Sequence, residues 1–266
     1  MRDERPAPDA PVTAALLIVG DEILSGRTRD ANLQHLAERL GPIGVRLVEA
    51  RVIPDVEAVI VAAVRELSGR VDYLFTCGGI GPTHDDITAD CVAAAFGRSI
   101  DIHPEARARL ERHYADSEHA LNAARLRMAR IPDGARLIDN PVSAAPGFVL
   151  ENVYVMAGVP RIMAAMLDQV VPTLRRGRPL VSVSILSALP EGEAAAGLRE
   201  IAEAHPNVGI GSYPRWGAGG FALTIVLRGE EPEAVEAAAQ ATEALIRRLG
   251  AASRRLEAAD LDAVGG

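Results

Sequence analysis

The chain has 266 residues, of which 48% are hydrophobic and 24% charged, enough for one large or two modest folded domains and too apolar for wholesale disorder. A formal net charge of -8 with only 3% aromatic residues argues against a nucleic-acid partner, which needs cationic surface and stacking rings. All 28 cationic side chains are Arg, so no lysine is available as a Schiff-base nucleophile or as a P-loop phosphate ligand. In chain order, residues 1–12 are polar and Pro-rich and read as a flexible tail without the apolar centre of a signal peptide. AALLIVG (14–20) is a short apolar run ending in Gly, as in a buried strand. DANLQHLAERLG (30–41) places Leu33, Leu36, Ala37 and Leu40 at helical spacing, and Gly41 stops the helix. VRLVEARVI (45–53) alternates as a strand, and Pro54 at N1 with Asp55 at N2 is expected to open the next helix. VDYLFTC (71–77) predicts a third strand, and ITADCVAAAFG (87–97) a helix after it.

The stretch 104–130 is rich in Arg, Ala and Glu and predicts one long helix with a solvated face. ARLID and then GFVLENVYVMAG predict a strand and a hairpin turning at Glu151-Asn152, and 161–177 an amphipathic helix. Strand–helix alternation of this kind predicts an α/β domain over 13–176, with a parallel sheet covered by helices. Arg-Arg-Gly-Arg-Pro (175–179) reads as a linker. Beyond it the order strand (180–186), helix (191–205), strand (207–214), strand (221–227), helix (232–250) predicts a small α+β domain over 178–250, with 251–266 as a second flexible tail. No apolar run approaches the roughly 20 residues of a membrane span. Two cysteines, Cys77 and Cys91, are too few for a disulfide framework or a cysteine zinc site, so a reducing, cytoplasmic setting and small buried thiols are expected.

In a parallel sheet the loops after the first three strands emerge at one carboxyl edge, where ligands bind open α/β sheets. The first is GDEILSG (20–26), with Asp21, Glu22 and Ser25. The second is Ile53-Pro54-Asp55, where Asp55 reads equally well as a helix-start acid. The third, TCGGIGPTHDDIT (76–88), is the richest: Gly78, Gly79 and Gly81 lie between a strand and a helix and would let main-chain amides approach a phosphate. Thr76 and Thr83 add hydroxyls, Asp85 and Asp86 could hold a divalent cation or bond a ligand's amide edge, and His84 is a candidate acid–base group or a plain surface histidine. The spacing is neither GxGxxG nor a P-loop. A fourth loop, DNPVSAAPGF (139–148), offers Ser143, Pro146 and Gly147, and Arg215-Trp216 reads as part of a surface hairpin with some scope for a partner or stacked ring.

GDEILSG, D-A-N at 30–32, VIPD, TCGGIGPTHDDIT, NPVSAAPGF and MAGVPRIMAAML together resemble the molybdopterin-binding domain shared by CinA (competence/damage-inducible A) proteins and the MoaB/Mog proteins of molybdenum cofactor synthesis. The resemblance covers residues 13–176, and 178–250 looks like the middle domain of CinA proteins, in a short form without a C-terminal amidohydrolase domain. It implies a three-layer MoaB/Mog-like sheet with helices on both faces, and a homo-oligomer. It also implies that Asp86 and Asp55 match the acidic positions tied to pterin binding or chemistry, that Gly78, Gly79 and Gly81 match a phosphate cradle, and that Asn32 falls in the D-x-N motif. The chain departs from the family pattern at Ala31, where Thr is frequent, and at Ser143-Ala144-Ala145, where Gly-Thr-Ala is frequent. Three functional expectations follow. One is metal-dependent (Mg, Mn or Co) hydrolysis of a nucleotide pyrophosphate such as ADP-ribose or FAD, with Asp86, Asp55 and Asp85 in the chemistry and Asp86, Asp85 and Glu22 on the metal. Another is a non-catalytic binding module for molybdopterin or a nucleotide, and a scaffold with a degenerate pocket is a third. In the first two the partner is a phosphorylated small molecule.

Overall fold

The computed structural model describes residues 11–115, 117–217 and 220–256, with the side chains of 215–222 outside the description. The chain divides into two compact units, residues 1–177 and 178–266. Unit 1 runs β1 (Val12–Val19), α1 (Asp21–Leu24), α2 (Asn32–Leu40), β2 (Val45–Ile53), α3 (Glu57–Ser68), β3 (Tyr73–Cys77) and α4 (Thr88–Phe96). It continues through β4 (Ile100–Ile102), α5 (Pro104–Ala115), α6 (Ala123–Leu126), β5 (Arg130–Pro132), β6 (Arg136–Ile138), β7 (Gly147–Leu150), β8 (Val153–Met156) and α7 (Pro160–Val170). The main sheet has the order β2-β1-β3-β8-β7-β6. β2, β1, β3 and β8 are parallel, while β7 runs antiparallel to both of its neighbours.

The interior strand β1 explains the layering. Successive side chains of a strand point to opposite faces, and in β1 both sets are apolar. Ala15, Leu17 and Val19 join one core with Ile60, Val64 and Leu67 of α3, Val92 of α4 and Leu110 of α5. Ala14, Leu16 and Ile18 join another with Leu36 and Leu40 of α2 and Met163, Met166 and Leu167 of α7. Burying each such large aliphatic side chain contributes about 1.5–3 kcal/mol. The result is the expected three-layer α/β arrangement.

Unit 2 consists of β9 (Val181–Ser187), α8 (Glu191–Ala204), β10 (Gly209–Gly217), β11 (Gly220–Gly229), α9 (Pro232–Arg248) and β12 (Ser253–Leu256). Its antiparallel sheet has the order β10-β11-β9-β12. Ile185, Leu223, Ile225 and Leu227 pack against Leu198 and Ile201 of α8 and Val235, Leu245 and Ile246 of α9. The backbone pairing of β10 with β11 reaches Gly217 opposite Gly220, so Arg215 and Trp216 lie in a hairpin; their side chains fall outside the description.

Three expectations need correction. The stretch 104–130 is not one helix: α5 ends at Ala115, Asn122 caps a new turn by accepting from the Arg125 amide, and the chain then enters β5, which pairs with β4. The helix after β2 starts at Glu57 rather than Pro54, because Val56 keeps an extended backbone, and Asp55 lies outside it. Where the two expected tails are described they contain strand: Val12 begins β1, and Ser253–Leu256 adds an edge strand to β9. Residues 1–10 and 257–266 lie outside the described residues. No helix among the described residues is long and apolar enough to cross a membrane.

Candidate functional site

The parallel strands carry the loops after β1, β2, β3 and β8 to one edge of the sheet. β6 runs in the same sense and β7 returns from that edge, so the 139–146 loop joins them there. The two stretches singled out as richest, 76–88 and 139–148, therefore meet in space.

The glycine loop is shaped by close backbone approaches. Gly78 has φ +100, and a methyl group there would lie 2.1 Å from the Val19 carbonyl oxygen. Gly79 has φ +66, and a methyl group would lie 2.2 Å from Thr88 Oγ1. Glycine takes these conformations without strain and alone fits these gaps. The Gly78 amide donates to Met156 O at 3.3 Å, and Gly79 O accepts from the Thr88 amide at 2.9 Å, which fixes the loop between β8 and the start of α4. Among the described residues no acceptor takes the amides of Gly79, Ile80 or Gly81. α4 begins without a side-chain cap, and the Thr88 hydroxyl, fully buried, has no partner. Consecutive free amides beside an uncapped helix start form a concavity suited to an anion.

Asp86 closes the far side of this loop. Its Oδ2 accepts from the Thr83 amide at 2.8 Å and from the Thr83 hydroxyl at 2.5 Å. Gly81 makes room for it, since a methyl group there would lie 2.6 Å from the same oxygen. Asp85 and His84 are exposed, with His84 Nδ1 3.9 Å from an Asp85 oxygen. On the first loop, Glu22 folds over Gly20, where a methyl group would lie 2.6 Å from Glu22 Oε2. Ser25 Oγ donates to Glu22 O at 3.3 Å within its own turn. Asp55 Oδ2 accepts from the Asp21 amide at 2.9 Å, so it caps α1 across the sheet edge rather than α3. Burial raises the Asp55 carboxyl above its ordinary range, and the neighbouring charges of Asp21, Glu22 and Asp85 push the same way, against the lowering effect of the Asp21 hydrogen bond.

Asn32, at the start of α2, is buried. Its Nδ2 donates to Gly158 O at 2.8 Å and contacts Cys77 Sγ at 3.6 Å, while its Oδ1 has no partner. Thr76 is fully buried within β3, and its hydroxyl is also unpartnered. Burial pushes the Cys77 and Cys91 thiols up to about 12, which makes both unreactive packing groups. In the fourth loop Ser143 is tied to Asn140: Asn140 Nδ2 donates to Ser143 Oγ at 2.7 Å and to Ala145 O at 2.8 Å, and Asn140 Oδ1 accepts from the amides of Val142 and Ser143. Pro146 lines a small cleft that also contains Gly81 and Asp86. Gly147 is buried in β7, where a methyl group would lie 2.3 Å from Val155 O. Its smallness therefore serves the β7–β8 pairing.

Sequence reasoning passed over Asn140, Asp30 and Arg127. Asp30 accepts from the Asn32 and Leu33 amides at 3.2 and 3.0 Å and so caps α2 in place of Ala31; an Asp two residues before the helix was the available signal. Among the described residues no three His, Cys, Asp or Glu side chains are grouped to hold a metal ion. Asp86, Asp85 and Glu22 therefore do not form a preformed metal cage.

An α/β domain with a glycine-rich loop between strand and helix at the carboxyl edge of its sheet matches the place where ligands bind in open α/β sheets. The chain belongs to the family described as "Probable molybdopterin binding domain", matched over residues 15–176. Residues 179–252 match the middle domain of FAD synthase. A protein of Aeropyrum pernix is 36% identical over 76% of this chain and 79% of its own length, and one of Archaeoglobus fulgidus 31% over 87% and 96%. A CinA-like protein of Citrifermentans bemidjiense is 39% identical over 62% of this chain, which spans only 41% of that protein. The crystal structure of CinA from Thermoplasma acidophilum, described as of unknown function, is 33% identical with a TM-score of 0.57, covering 61% of this chain and 98% of that one.

Proposed function

We propose that unit 1 binds a phosphorylated pterin or nucleotide at the carboxyl edge of its main sheet. The observation that carries this reading is the row of free amides at Gly79, Ile80 and Gly81, held open by the contacts of Gly78 and Gly79 with Val19 and Thr88. In an acidic chain without lysine, main-chain amides and a helix start are the means of attracting phosphate that add no cation. Membership in a probable molybdopterin-binding family supports a pterin-like ligand. The acids at the same edge would accept hydrogen bonds from the amino and amide groups of a pterin or purine.

A second reading, hydrolysis of a nucleotide pyrophosphate, is favoured by one observation: Asp55 lies beside Asp21, Glu22 and Asp85 with its carboxyl raised, chiefly by burial, and perturbed carboxyls cluster at reactive sites. The FAD synthase middle-domain match of unit 2 is consistent with nucleotide chemistry. A divalent cation would polarise a phosphoryl oxygen in such a reaction. The described residues hold no three-ligand cage, so a cation that keeps its waters and substrate phosphates, with one or two carboxylates, is the kind that fits them.

Both readings are tested on the full chain with ADP-ribose and FAD, in the presence of magnesium, manganese or cobalt. Release of AMP, lost in Asp55→Asn, supports hydrolysis. Saturable binding without AMP release under any metal leaves the binding module and rejects hydrolysis. Absence of both rejects the site.

A further inference from the structure

Several arginines of unit 1 are matched to carboxylates: Arg51 to Glu49 and Glu66, Arg109 to Glu105 and Asp139, Arg130 to Asp90, and Arg175 to Asp72. Arg127 is different. It sits in the single turn between α6 and β5 and makes no ion pair among the described residues. Its Nη2 reaches only the main-chain oxygen of Asp86, at 3.4 Å, and its Nε is buried with no acceptor. The side chain lines a cleft with Gly81, Asp86, Arg130 and Pro146, so it borders both the glycine loop and the fourth loop.

The neighbouring charges are already engaged. Asp90 holds Arg130 through two hydrogen bonds of 2.6 and 2.9 Å, and one oxygen of Asp86 is taken twice by Thr83. A half-buried guanidinium with an unsatisfied donor is unfavourable unless an acceptor arrives. Its planar fork matches the oxygens of a phosphate group. We infer that Arg127 is a phosphate-recognising residue of this site, and that the ligand class it selects is a phosphate monoester or diphosphate over the uncharged nucleoside or pterin. This rests on the reading of the glycine loop as a phosphate cradle, and adds to it the cation that the loop itself lacks.

The test compares the full chain with Arg127→Gln and Arg127→Lys, by calorimetric titration with ADP and inorganic pyrophosphate and by thermal melting without ligand. Arg127→Gln should weaken ADP binding roughly ten- to a hundredfold, the range for hydrogen bonds to a charged group, and Arg127→Lys should recover part of it. The unliganded melting temperature of Arg127→Gln should not fall, since an unsatisfied buried charge is removed. Unchanged ADP affinity in Arg127→Gln, with clear binding by the wild type, overturns the role of Arg127 and leaves the glycine loop standing. A large fall in melting temperature for both variants marks a structural arginine and also overturns it. No binding of ADP or pyrophosphate by the wild type overturns the phosphate-site reading itself.

Discussion

At the residue scale, Gly78 is where one added carbon has the clearest consequence. Its φ of +100 and the 2.1 Å gap to Val19 O leave no room for a side chain, and the obstructing atom is backbone at the end of β1. Gly78→Ala is expected to destabilise unit 1 by about 2–4 kcal/mol, read as a lower denaturant midpoint with an unchanged slope. Asp55 gives a signed pH prediction. Its folded-state carboxyl is raised above the ordinary value of 3.8, so its ionised form weakens the fold, and stability falls as pH rises through the folded value. Asp55→Asn should therefore melt higher than wild type at pH 7, as read by calorimetry. The gain should vanish below pH 3.8, where the wild-type carboxyl is protonated in both states. A variant that melts lower at pH 7 would mean that the cap on the Asp21 amide outweighs the buried charge. The glycines were legible because three of them in four residues, between a strand and a helix, demand a tight loop with close backbone contacts. The role of Asp55 as a cap on α1 was not, because its partner, Asp21, is 34 residues away.

At the scale of elements, the sequence pattern located the strands and helices whose periodicity is plain, such as β1, β2, α2 and α9. It failed where local composition and tertiary context disagree. The Arg- and Ala-rich stretch after Pro104 favours helix throughout, yet it is interrupted, because Asn122 restarts the chain and Ile131 is drawn into pairing with β4. β12 was hidden for a similar reason: SRRL carries no strand signature of its own and becomes a strand by pairing with β9. Arg255 adds hydrogen bonds to Glu236 and Glu243 of α9, in an exposed to half-buried setting where ion pairs contribute little, so the backbone pairing is the larger contribution. Removing residues 253–266 should lower the melting temperature of unit 2 and expose β9 as a sheet edge prone to association, detectable by light scattering. Unchanged melting and a monodisperse truncated chain would contradict that role. The internal bracing of the fourth loop by Asn140 also escaped sequence reading, since attention went to Ser143, which Asn140 holds.

At the scale of the whole molecule, parallel order is what turns scattered motifs into a site. β1, β2, β3 and β8 all end at one edge, and the reversed β7 brings the 139–146 loop back to it. Motif order in the sequence suggested this gathering. The contribution of the β8 loop, through Gly158 O and Asn32, depended on a pairing between β3 and β8 that no local pattern encodes. The net charge of -8 also takes on a specific meaning. Under the proposed function, phosphate binding by this acidic chain falls to free amides, an uncapped helix start and an arginine without a carboxylate. The most direct test is an amide-resolved NMR titration of the full chain with ADP. The account predicts that the amide resonances of Gly79, Ile80 and Gly81 shift first and most, saturably. Shifts centred elsewhere, or none at those three amides while ADP binds, would contradict it.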